Sequence, residues 1–131
     1  MSKIISFAWT TQALFEGKKT VTRRDWNDRY AVSFRKGDYV QAYDKNPRAG
    51  GRKMGIIRLT ADPYKQWLHD VTDADEVKEG ALWGSGLAYQ EAMGKDRQVW
   101  VIEFEVVKMR NPLDVGLDIR SEKPCQMMFA L

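Results

Sequence analysis

The stretch from Gln98 to Val107 constrains the fold of this chain more than any other, because it reads as an unbroken strand. Side chains along a strand point alternately to its two faces. Trp100, Ile102, Phe104 and Val106 therefore share one face, which is predicted to be core. Val99, Val101, Glu103 and Glu105 share the other, and its acidic pair reads as solvated rather than as a catalytic dyad. Shorter strands precede it. They are predicted over Lys3 to Trp9, Thr20 to Arg24, Tyr39 to Tyr43 and Lys53 to Ala61. Thr10 or Thr11 can cap a short helix through Glu16, with Gly17 as its stop. Thr72-x-x-Asp75 is a capping-box-like start for a helix to Glu79, and a further helix spans Ser85 to Met93 before Gly94. Pro63 to His69 reads as a turn with a short helical segment. Strands dominate the first half, and short helices are inserted before the final strand. That order suits an α+β protein built on a small mixed β-barrel with short inserted helices.

The length of 131 residues suits a single domain over 1–131, large enough to bury a core, with 109–131 as a C-terminal tail. That tail can dock through Met127, Met128, Phe129 and Leu131, or stay mobile. No repeat, linker or second domain is expected. No apolar run approaches a membrane span and no signal-peptide core opens the chain, so no membrane partner is expected. A lone Cys125 cannot form an intrachain disulfide, which makes a cytoplasmic location the default. Cys125 and His69 stand 56 positions apart, with no other Cys or His to complete a metal cluster, so no metal and no cofactor are expected. His69 has nothing nearby in sequence to activate it as an acid or base. Charge is segregated. Residues 1–60 hold 13 Lys and Arg against 5 Asp and Glu, the remainder 8 against 13, giving halves of +8 and −5. A basic surface suited to phosphates beside an acidic region follows, and RNA or a nucleotide is the expected partner.

Chemistry concentrates in Gly17-Lys18-Lys19-Thr20-Val21-Thr22-Arg23-Arg24. If Thr20 to Arg24 is extended, Thr20, Thr22 and Arg24 share a face that presents two hydroxyls and a guanidinium, a way to hold an anionic or carbonyl-bearing ligand. Lys19 joins them only if the chain still turns at Gly17-Lys18-Lys19. A basic, solvated edge strand is the other reading of the same residues. Trp26 lies in the loop-like Asp25-Trp26-Asn27-Asp28, where it can stack on a base or lid the core. The connection from Lys45 to Lys53 carries Lys45, Arg48, Arg52 and Lys53 around Gly50-Gly51, and such cations can follow a phosphate backbone.

Ser6-Phe7 through Thr11, followed by Phe15-x-Gly17-Lys18-Lys19-Thr20-Val21-Thr22-Arg23-Arg24, resembles the opening of ASCH domains (activating signal cointegrator homology). Val71-Thr72-Asp73-Ala74-Asp75 with Glu79-Gly80 resembles that family's acidic helix, and Val99 to Val107 its closing strand. The resemblance implies a PUA-like β-barrel. Some bacterial ASCH proteins are amidohydrolases that remove the acetyl group from N4-acetylcytidine, through a Lys and a Thr of the opening motif and a Glu of the later helix. By motif position these are Lys19, Thr22 and Glu79 here, with Thr20, Arg24 and Trp26 as substrate-binding candidates. Other members are linked to RNA cleavage, RNA binding or coactivator roles. The expectations that follow are a hydrolase acting on the amide of a modified nucleoside, a ribonuclease-type enzyme, or a non-catalytic RNA- or nucleotide-binding module using Lys19, Arg24 and the cations Lys45, Arg48, Arg52 and Lys53.

Overall fold

The computed structural model describes residues 3–112. The tail beyond residue 112, Cys125 and the docking residues Met127, Met128, Phe129 and Leu131 lie outside the described residues. Six strands form one sheet: β1 (Lys3–Ser6), β2 (Val21–Arg24), β3 (Tyr39–Tyr43), β4 (Lys53–Leu59), β5 (Tyr64–Trp67) and β6 (Gln98–Met109). Four short helices accompany them: α1 (Thr11–Phe15), α2 (Asp28–Ala31), α3 (Asp73–Lys78) and α4 (Gly86–Met93). The sheet runs β1-β3-β4-β6-β2 and is strongly curled into a half-barrel, so the architecture is mixed α+β. Only β1 and β3 pair in parallel; the other pairs are antiparallel.

β6 is the spine. Its residues 104–109 pair with β4 and its residues 98–101 pair with β5. Residues 100–103 pair with β2. Close packing at the β4–β6 seam requires Gly55, where a Cβ would stand 2.1 Å from the Lys108 carbonyl oxygen. The barrel core comprises Ile5, Phe7, Leu14, Phe34, Val40, Ala42, Ile57, Leu59, Ile102 and Phe104. Behind β6 lies a second cluster of Leu68, Val71, Tyr89, Met93 and Val99.

That second cluster corrects the expected phase of β6. Ile102 and Phe104 are core as predicted, but Val99 and Val101 are buried as well, and Val99 packs with Tyr89 and Met93 of helix α4. Trp100 is only half-buried; its indole N–H donates to Asp28 and Lys65 lies over its ring. Glu103 receives the Tyr64 hydroxyl at 2.7 Å and Glu105 is exposed.

Other departures have local causes. β1 stops at Ser6 because Ala8 has φ of 47°, and Ala8–Thr10 form a 3-10 turn containing Trp9. The hydroxyls of Thr10 and Thr11 cap no helix; they donate back to the carbonyls of Phe7 and Ala8. The segment expected to be helical before His69 is instead strand β5, with a 3-10 turn at Leu68–Asp70. Asn27 caps α2 by accepting the Tyr30 N–H, so the loop-like cluster contains a helix start. The predicted extents of α1, α3 and α4 agree with the structure, as does the Thr72/Asp75 capping box, and Ser85 caps α4 by accepting the Ala88 N–H. Among the described residues no helix is long and apolar enough to cross a membrane.

Candidate active site

Gly17, at φ 76°, lets the chain reverse after α1. The amides of Lys18 and Lys19 then both donate to the Ala13 carbonyl, and the Thr20 amide to that of Lys78. The segment is thereby laid along the end of α3, and Lys19 pairs with Glu79 as an isolated β-bridge. The chain does turn at Gly17-Lys18-Lys19, and the turn sets Lys19 against Glu79.

Lys19 Nζ donates to Glu79 Oε1 at 2.7 Å and to the Glu79 carbonyl oxygen at 3.3 Å. Both side chains are buried, at 2% and 1% exposure. The other carboxylate oxygen receives Arg23 Nη1 at 2.7 Å, and the Tyr89 hydroxyl is a further partner of Glu79. Arg23 is held in turn by Gln66 Oε1 at 2.9 Å and faces Asp75 at 3.7 Å. Burial pulls the Lys19 amine below the usual lysine range; Glu79 opposes that shift, while Arg24 and Arg23 add to it. The arithmetic of charge explains the direction. Guanidiniums hold their protons far more firmly than an amine, so the amine is the cation of this cluster that neutralises most readily.

Thr22 and Arg24 lie on the other face of β2, as strand alternation requires. Arg24 Nε donates to Thr22 Oγ1 at 3.0 Å, and Arg24 Nη2 donates to the Ser6 carbonyl at 2.7 Å. β1 and β2 are the two ends of the curled sheet, so this guanidinium bridges the seam of the half-barrel. Burial lowers the Arg24 pKa to about 10, against the opposing charge of Glu79, so the group stays cationic at neutral pH.

A cleft of 610 Å³ opens at that seam, lined among others by Ser6, Arg24, Trp26, Tyr30, Asn46 and Arg48. Its volume falls within the range of small-molecule sites, about 300–1,000 Å³. Among the described residues two guanidiniums and no carboxylate line it. Trp26 stacks on Phe34 with centroids 4.7 Å apart, so it both lids the core and borders the cleft.

The predicted site residues are thus partly assembled. Lys19 and Glu79 are in direct contact; the Thr22 hydroxyl is hydrogen-bonded to Arg24 rather than to Lys19. Arg24, Trp26 and Arg48 border the cleft, whereas Lys19, Thr22 and Glu79 lie behind its wall. Thr20 departs from the shared face expected of it. It precedes β2, is exposed, and lines a separate 140 Å³ depression with Arg23, Tyr64 and Asp75. Of the loop cations, Lys45 and Lys53 are exposed away from the cleft, and Arg52 lies 3.7 Å from Asp44. Residues that sequence reasoning missed are Tyr30, in the helix directly after β2, and Tyr89 and Gln66, brought in from distant elements, none with a motif to mark it. Among the described residues no group of His, Cys, Asp and Glu could hold a metal ion.

Neither a protein-family model nor a curated protein sequence matches the chain. Among solved structures it is similar to the crystal structure of protein EF3133 from Enterococcus faecalis, of family DUF984. The two share 18% identity at a TM-score of 0.62, over 94% of this chain and 86% of that one. That likeness bears on the fold alone.

Proposed function

We propose that this protein is an ASCH-type hydrolase that cleaves the N4-amide of an acylated cytidine, with Lys19, Thr22 and Glu79 as its reacting groups. The observation that carries the reading is the buried Lys19 amine, biased towards its neutral form and hydrogen-bonded to Glu79. A structural lysine gains nothing from that bias; a general base requires it. In this reading the nucleoside enters the seam cleft between Trp26 and Tyr30. The Arg24 guanidinium moves aside enough to give the acyl carbon access to Thr22 Oγ1.

The reaction balances with these groups. Lys19 removes the hydroxyl proton as Thr22 Oγ1 bonds to the acyl carbon. The C–N4 bond then breaks, N4 takes that proton, and cytidine leaves an acyl ester on Thr22. Water, deprotonated by Lys19, hydrolyses the ester to acetate and restores the hydroxyl. Glu79 orients the amine throughout and stabilises its protonated form.

The test is release of cytidine from N4-acetylcytidine by the purified protein, without added metal. Lys19→Ala, Thr22→Ala and Glu79→Ala are each expected to lose most of the rate, and double variants little more, because groups acting as a unit are non-additive. Thr20→Ala, outside the cleft, keeps substantial activity. A second reading is favoured by the placement of Lys19, Thr22 and Glu79 behind the cleft wall: a nucleotide- or RNA-binding module in which only Arg24, Trp26, Tyr30 and Arg48 touch ligand. Salt-dependent RNA binding without cytidine release would decide for it.

A further inference from the structure

The face of β2 opposite Thr22 carries a recess of its own, the 140 Å³ depression beside Arg23. Two of the three guanidinium nitrogens of Arg23 are fixed: Nε donates to Gln66 Oε1 at 2.9 Å and Nη1 to Glu79 Oε2 at 2.7 Å. Among the described residues Nη2 faces Asp75 at 3.7 Å, beyond hydrogen-bond distance, although the side chain is only 3% exposed. A buried cation that keeps a donor unmet carries a desolvation cost, which a ligand oxygen in the depression would remove. Lys78, Asp75 and Glu103 line the same recess. Glu103 accepts the Tyr64 hydroxyl through Oε2, and neither Glu103 nor Lys78 has an ion pair among the described residues.

From this we infer that the depression binds a small amino acid as its zwitterion, the carboxylate on Arg23 Nη2 and Lys78 and the ammonium on Glu103 and Asp75. The balance of charge selects that class. Two cations and two carboxylates line the recess, so a plain anion drawn to Arg23 meets Asp75 and Glu103, and a plain cation meets Arg23 and Lys78. A molecule with one charge of each sign is matched at both ends through charge-assisted hydrogen bonds. Val21 and Phe104, both buried, supply the apolar part of the lining, which suits a short methylene spacer. At 140 Å³ the recess lies below the range of about 300–1,000 Å³ for larger ligands, which leaves out a nucleotide. It shares no lining residue with the seam cleft, so the inference stands under either reading of that cleft.

The test titrates the isotopically labelled full chain with glycine, β-alanine and γ-aminobutyrate at constant pH and ionic strength. Amide chemical shifts of Thr20, Val21, Lys78 and Phe104 report the site. Each amino acid is compared with its N-acetyl form, which keeps only the carboxylate, and its carboxamide, which keeps only the ammonium. At least one of the three is expected to bind about tenfold more tightly than both of its derivatives, the worth of one charge-assisted hydrogen bond. Lys78→Gln is expected to narrow the margin over the carboxamide by about threefold, and Glu103→Gln the margin over the N-acetyl form, each the worth of one partly exposed ion pair. The amide spectrum reports whether each variant is folded; should Glu103→Gln unfold, Lys78→Gln and the three-way comparison decide. No margin for any of the three amino acids overturns the inference. N-acetyl forms that bind as tightly leave a plain anion site, and carboxamides that do so a plain cation site. Margins that survive unchanged in folded Lys78→Gln and Glu103→Gln overturn it as well, because the amino acid then sits elsewhere.

Discussion

Lys19 and Glu79 are 60 residues apart, and each controls what the other can do. Burial loosens the hold of Lys19 on its proton, while the carboxylate at 2.7 Å strengthens it. Catalysis by the free amine therefore predicts a rate that rises with pH and levels off at a lysine pKa below its ordinary value. Glu79→Gln removes the support for the charged amine, so the inflection of the pH–rate profile is expected to move to lower pH while the plateau falls. An inflection that stays in place would separate Lys19 from the proton transfer. Much of this pair was legible beforehand: the opening motif named Lys19, and the helix ending in Glu79-Gly80 named its partner. Arg23 was legible only as a nearby charge. Its bond to the second Glu79 oxygen depends on α3 packing beside β2, which no local pattern encodes.

Strand β6 shows where reading by element succeeds and where it stops. The apolar face carrying Ile102 and Phe104 was fixed by alternation alone, and both are core. Burial of Val99 was not, because it is conferred by α4 and the 3-10 turn after β5. Strand β5 escaped detection for a related reason. Its Tyr64-Lys65-Gln66-Trp67 has little apolar content and is largely exposed; its extended form comes from pairing with β6. The packing difference along β6 is measurable by urea unfolding. Ile102→Ala, at 0% exposure, is expected to cost about 2–5 kcal/mol. Trp100→Ala is expected to cost less than the 3–5 kcal/mol or so of a fully buried tryptophan, since its ring is half-exposed and held by Asp28 and Lys65. A larger loss at Trp100 than at Ile102 would contradict the assignment of the core.

Across the whole molecule, the basic half seen in the sequence resolves into cations with different surroundings. Arg48 reaches the seam cleft, Lys45 and Lys53 are exposed elsewhere, and Arg52 lies near Asp44. If the chain binds single-stranded RNA along this loop, each lost phosphate contact lowers the slope of log affinity against log salt by about 0.7. Arg48→Gln alone is expected to produce about that change, and neutralising Lys45, Arg48, Arg52 and Lys53 together about 3, measured by fluorescence anisotropy across a salt series. A slope unaffected by all four would remove the loop from any RNA surface. Sequence gave the loop its charge, but which cation meets the cleft depends on the 3-10 turn at Pro47–Ala49 and its Asn46 cap.

The order of synthesis bears on the spine strand. β6 is the last of the six strands to leave the ribosome, yet β2, β4 and β5 all pair with it. Until residue 109 emerges, β2 and β5 lack this neighbour, and only β1, β3 and β4 can align with one another. Until β6 emerges, a nascent chain therefore has an open hydrophobic trough and unsatisfied strand edges. That exposes it to aggregation and to chaperone capture. Stalled or truncated translation products are consequently its natural misfolding hazard, and the completed strand acts as a checkpoint on the whole fold.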